Sequence, residues 1–175
     1  MACPAPYKYV DPLAWQGRAF GSPETTAGIE NIPWGAPALW SAASHGQTSE
    51  VLKLLKDGAD VEERGGPTFT TPLFVASCQG HEGVVHALLE HSADASAADF
   101  YGWTPLHRAA NRGREAVVVL LVEHGADLSA ENDGGETPLL CAACWGHENI
   151  VKLLLDKMGW TQRDLELWIM NNDGQ

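Results

Sequence analysis

The sequence predicts an all-α fold, a helix-turn-helix solenoid of about four units with short hairpins between them. Three observations carry that prediction. The leucines Leu39, Leu73, Leu106 and Leu139 stand 34, 33 and 33 residues apart. Within each unit the spacing from the end of the first helix to the end of the second is constant: positions 46 to 58, 80 to 92, 113 to 125 and 146 to 158. Each unit also reads as two apolar helices of only two or three turns. Helices that short are not stable alone in water, so each unit needs neighbours to bury its apolar face.

Residues 1 to 33 do not fit the period. Pro4, Pro6, Pro12, Pro23 and Pro33 punctuate them, with Gly17, Gly21 and Gly28, which favours an extended or looping arm. Tyr7, Tyr9, Val10, Leu13, Trp15 and Phe20 make that arm more apolar than an inert linker. Part of it is expected to lie against the repeats; a disordered leader is the alternative.

The first unit, 34–66, is degenerate: Pro37-Ala38 stands where later units have Thr-Pro, and Trp40 where the third has His107. In its second helix Glu50 and Lys53 replace the Val117 and Leu120 of the third unit. An interior unit needs apolar residues there, and a terminal unit needs a polar outer face. The first unit therefore reads as an N-terminal cap with no further repeat before it.

The second unit, 67–99, keeps Thr71-Pro72 and Gly80-His81. Phe69 takes a hairpin position where glycine is expected, and Ser92 replaces the glycine that closes the second helix. A serine held in the left-handed region there costs about 1 kcal/mol relative to glycine.

The third unit, 100–132, is the most complete. Thr104 can cap a helix through its hydroxyl, and Pro105 suits the first helical position, whose N–H would lack a partner anyway. Leu106, Ala109 and Ala110 give one apolar face, and Gly113 can close the helix left-handed. Val117, Val118, Leu120 and Leu121 follow at helical spacing, and Gly125 ends the unit.

The fourth unit, 133–160, is as apolar in its second helix, with Ile150, Val151, Leu153, Leu154 and Leu155. That leaves a bare face unless something covers it. Residues 161–175 are the available cover, as a helix carrying Leu165, Leu167, Trp168, Ile169 and Met170, or as the start of a further repeat before a cut.

A period of 33 marked by Thr-Pro-Leu-His-x-Ala resembles the ankyrin repeat, and the resemblance covers about residues 34–160 in four copies. It implies a curved stack that binds protein partners on a concave side formed by hairpin tips and first-helix surfaces. The matching hairpin positions are Trp34 and Ala36, Thr68 and Thr70, Tyr101 and Trp103, Gly134 and Glu136. The matching exposed first-helix pairs are Ser44 and His45, Cys78 and Gln79, Asn111 and Arg112, Cys144 and Trp145. Aromatic residues and arginine anchor interfaces. The candidate partner-binding residues are accordingly Trp34, His45, Gln79, Phe100, Tyr101, Trp103, Asn111, Arg112 and Trp145, unless the arm or neighbouring tips bury these rings. Some members of the family are hydroxylated on an asparagine after the second helix. The matching residues here are Glu62, Ser96 and Ser129, so that modification is not expected.

Composition narrows the function. The net charge of −12 opposes phosphate backbones and anionic lipid, so the partner is expected to be a protein, a basic one being best suited, and not nucleic acid. There is no apolar stretch of about 18 residues to span a membrane and no signal-peptide pattern, which points to the cytoplasm or nucleus.

No metal, cofactor or disulfide is expected. Cys141-Ala-Ala-Cys144 with His147 has metal or redox spacing, but the repeat accounts for all three positions, and no fourth ligand stands nearby in sequence. His81 and His147 follow repeat glycines, His107 follows Thr-Pro-Leu, and His91 and His124 sit near second-helix ends. No nucleotide-binding loop, nucleophile elbow or zinc-protease motif is present, so an enzyme is not expected. The reading is a non-catalytic scaffold or adaptor of unspecified oligomeric state. The alternatives are a structural subunit of a large assembly, or a fragment of a channel, ligase receptor or enzyme whose working domain lies elsewhere.

Overall fold

The structure, a computed structural model, describes residues 37–66 and 69–160. The arm at 1–33, the candidate Trp34, Ala36 and Thr68, and the segment 161–175 lie outside the described residues. Among the described residues eight helices pair in order: α1 (Ala38–Ser44) with α2 (Thr48–Lys56), α3 (Pro72–Gln79) with α4 (Glu82–Glu90), α5 (Pro105–Asn111) with α6 (Glu115–Glu123), and α7 (Pro138–Cys144) with α8 (Glu148–Lys157). The first helices pack on one another as one row and the second helices as another.

Local chemistry sets the helix ends. The hydroxyls of Thr71, Thr104 and Thr137 accept from the N–H of Phe74, His107 and Leu140, each with proline next in the chain. Those hydroxyls satisfy donors that the helix itself cannot. Thr104 adds a reciprocal contact, its own N–H donating to His107 Nδ1 at 3.2 Å. The second helices have no side-chain cap, and those of the last three units start with Glu82, Glu115 and Glu148, whose charge suits the positive end of the helix dipole.

The glycine between the two helices has a double role. Gly46 and Gly113 have φ of 68° in both cases. A Cβ on Gly46 would also lie 2.7 Å from His81 Nδ1, and one on Gly113 2.6 Å from His147 Cε1. The histidine of one repeat thus lies on the glycine of the repeat before it. From there His81 Nε2 donates to the Ser44 carbonyl at 3.3 Å, and His147 Nε2 to the Asn111 carbonyl at 3.1 Å. Arg114 takes that place over Gly80.

The core runs between the two rows, with Leu39, Leu73 and Leu106 from first helices and Val51, Val84, Leu88, Val117, Leu121, Ile150 and Leu154 from second helices. Trp40, the first-unit substitute for histidine, is buried and donates from Nε1 to Thr70 Oγ1 at 3.1 Å. On the outer face of α2, Glu50 and Lys53 pair at 3.5 Å with side chains 47% and 66% exposed. The residues matching Glu50, namely Val84, Val117 and Ile150, are buried. At the other end the apolar face is open among the described residues: Leu140 is 49% exposed, whereas the matching Phe74 and His107 are 1% and 0% exposed.

Three expectations change. Ser44, assigned with His45 to an exposed first-helix pair, is buried, its hydroxyl donating to the Ser41 carbonyl at 2.8 Å. Cys78, assigned to an exposed first-helix pair, is buried, because α3 is buried from Pro72 to Cys78 where it lies between α1 and α5. Trp103, assigned to an open hairpin tip, is half-buried against the core for reasons given below. Ser92 holds the left-handed conformation at φ 65°, and Phe69 does so at φ 54°.

Candidate partner-binding surface

The third hairpin is built around Asp99. Its Oδ1 accepts from the N–H of Tyr101 at 2.9 Å and of Trp103 at 3.0 Å. Its own N–H donates to the Trp103 carbonyl at 2.9 Å, and Gly102 turns the chain at φ 74°. This tight loop throws Phe100 and Tyr101 outward, 70% and 55% exposed. It turns Trp103 inward.

There the guanidinium of Arg108 stacks on the Trp103 ring, its Cζ 3.7 Å from the ring centre, and His107 meets the same ring edge-on at 5.8 Å. Arg108 also pairs with Asp99 at 3.9 Å, with side chains 4% and 0% exposed. Burial pushes the Asp99 carboxyl above the ordinary carboxylate value; the Tyr101 and Trp103 N–H groups and Arg108 pull the other way. Burial likewise holds the His107 imidazole below its ordinary value. His107 Nε2 donates to the Glu136 carbonyl at 2.9 Å, which ties this repeat to the next hairpin.

The flanking hairpins reuse the plan. In the next one Asn132 Oδ1 accepts from Gly134 N at 2.9 Å and Glu136 N at 3.0 Å, so its amide does the work of the Asp99 carboxylate. In the preceding one Gly65 and Thr70 exchange backbone hydrogen bonds of 2.9 and 3.0 Å, and Phe69 projects with 51% exposure. Its ring stacks on Phe100 with centroids 5.6 Å apart and planes at 16°. Arg64 joins the two hairpins from behind, donating to the carbonyls of Phe69 at 3.3 Å and Ala98 at 2.8 Å.

The other candidates form a second group at the C-terminal ends of the first helices, one helix length, roughly 10 Å, from the tips. His45 is exposed, with Nδ1 turned back to the Ser41 carbonyl at 2.8 Å. Gln79 and Asn111 are half-buried, Arg112 is exposed, and Trp145 is 60% exposed. Phe69 is missing from the sequence-derived set. Its signal was a bulky residue in a glycine register.

The cysteine pair divides. Cys144 ends α7 and is exposed, whereas Cys141 is buried and its thiol is pushed up to about 12 by burial. Among the described residues no group of three or more His, Cys, Asp or Glu side chains is placed to hold a metal ion.

The family model described as Ankyrin repeats (3 copies) matches this chain over residues 23–99, 39–132 and 93–164. No curated protein matches it.

Proposed function

This chain belongs to the ankyrin-repeat family, whose repeats are in general protein–protein interaction modules, and on that premise we propose that it is a non-catalytic scaffold or adaptor. Its partner is a protein held on the face formed by the hairpin tips and the ends of the first helices. The observation that carries this reading is the set of large side chains that the stack leaves outside its core. Phe100, Tyr101 and Trp145 are 70%, 55% and 60% exposed. Rings left in water forgo about 1.5–3 kcal/mol each compared with burial, and aromatic residues are frequent interface anchors.

Two groups of a kind often used in catalysis support the same reading. The Cys141 thiol, pushed up to about 12, stays protonated at neutral pH and is a poor nucleophile. His107 is committed to Thr104 and Glu136. No helix among the described residues is long and apolar enough to cross a membrane.

Affinity capture with cross-linking and mass spectrometry tests the proposal. A specific partner should be retained by the wild type. Its recovery should fall about tenfold with Tyr101→Ala or Trp145→Ala, while the unfolding midpoint hardly moves. A partner captured equally by both variants would place binding on another surface.

A further inference from the structure

Three rings at the hairpin tips lie outside the core, and one of them is held at a cost. Phe69 stands in the register of Gly102 and Gly135, yet it keeps the same left-handed turn at φ 54°. A bulky residue in that region is an outlier, and such strain gathers at functional positions. Its ring lies half in water, stacked on Phe100 at 5.6 Å, with Tyr101 next in the chain. Glycine would relieve the strain but remove one face of the ridge.

The charge around the ridge is one-sided. The three inter-repeat loops, 57–70, 91–104 and 124–137, carry ten carboxylates and a single lysine or arginine, Arg64. Arg64 points its guanidinium at the carbonyls of Phe69 and Ala98. Asp60, Asp94 and Asp127 fold back onto their own turns, whereas Glu63, Glu131 and Asp133 are exposed. Asp133 adjoins the ridge, its N–H donating to the Tyr101 carbonyl at 3.0 Å.

We propose that the Phe69, Phe100 and Tyr101 ridge docks a basic, arginine-bearing segment of the protein partner, a deepening that rests on the protein-binding reading above. A guanidinium stacks on a ring face more readily than an ammonium, which holds its hydration shell more tightly. Neighbouring cations of the segment pair with the exposed loop carboxylates, an attraction that salt screens. The same hairpin already holds this contact internally, where Arg108 stacks on Trp103 at 3.7 Å.

The test uses fluorescence anisotropy of the full chain with three labelled octapeptides of alternating sequence, Gly-Arg, Gly-Lys and Gly-Glu. The arginine peptide should bind at least fivefold tighter than the lysine peptide, and the glutamate peptide should not bind. Phe69→Gly, which should raise the unfolding midpoint, and the double variant Phe100→Ala with Tyr101→Ala should each weaken the arginine peptide about tenfold. Equal affinity for arginine and lysine peptides, indifference to both ridge variants, or no binding of the arginine peptide at low salt overturns the proposal. Capture of a specific partner from cells separates this failure from that of the wider reading. A partner lost with Trp145→Ala but kept by both ridge variants leaves the adaptor standing and removes the ridge. Failure to capture any specific partner removes both.

Discussion

The Arg108 guanidinium lies 3.7 Å from the centre of the Trp103 ring and 3.9 Å from the Asp99 carboxylate. One buried cation therefore joins the hairpin turn to the helix that follows it. A surface arginine would contribute little here; a buried one is costly to strip of its carboxylate.

Asp99→Ala should consequently lower stability by about 3–5 kcal/mol. It removes the acceptor of the Tyr101 and Trp103 N–H groups along with the charge opposite Arg108. Asp99→Asn should cost clearly less, because an amide oxygen can accept both bonds, as Asn132 does in the next hairpin. Urea unfolding of the two variants checks this. Equal losses would mean that the turn bonds add nothing beyond the charge.

Stability should fall with acid in the range where His107 titrates. Burial holds its folded-state pKa below the ordinary 6.5, so the unfolded chain takes up the proton more readily. Its contribution is full above pH 6.5 and is lost as pH falls from there through the folded value. Asp99 has the opposite sign: its raised pKa gives a contribution that is full below 3.8 and is lost as pH rises through the folded value. Unfolding midpoints measured from about pH 7.5 to 5.5 should decline in the wild type and decline less in His107→Gln. Parallel slopes would remove His107 as the source.

Ser92→Gly should stabilise the protein by about 1 kcal/mol. A serine at φ 65° pays for a left-handed conformation that glycine adopts freely, less the greater freedom glycine regains on unfolding. Thermal melts of Ser92→Gly beside Ser92→Ala check it, since alanine should give no such gain.

Val117→Ala and Glu50→Ala should differ sharply although they occupy the same register. Val117 is 1% exposed and Glu50 has a side chain 47% exposed. The first should cost about 2 kcal/mol from lost burial and a cavity, and the second about 0.5 kcal/mol or less. Similar losses in denaturant titrations would contradict the difference in burial of this register between α2 and α6.

Much of this architecture is legible before any coordinates. Thr71, Thr104 and Thr137 announce their helices because a cap bonds only to the turn that follows it. The polar pair Glu50 and Lys53 stands out because it interrupts an apolar register, and both side chains are indeed part-exposed. Ser92 announces strain because its left-handed turn follows from the glycines at 58 and 125. All of these depend on neighbours within about one helical turn or on the repeat period itself.

Phe100, Tyr101 and Trp145 follow from the repeat register as exposed rings, but other residues around the candidate surface were not legible in that way. Trp103 reads in sequence as an open ring, yet it lies against the buried Arg108 guanidinium. Cys78 reads as surface and is core. Phe69 and Phe100 lie 31 residues apart, so their stacking is set by how far one hairpin is rotated and offset against the next. The chain by itself determined the number of units, their caps and their apolar faces, because those follow from backbone preference and periodic burial. Only the tertiary structure decided that Trp103 turns inward and that Phe69 joins Phe100, because that depends on how side chains of whole neighbouring repeats fill the space between them.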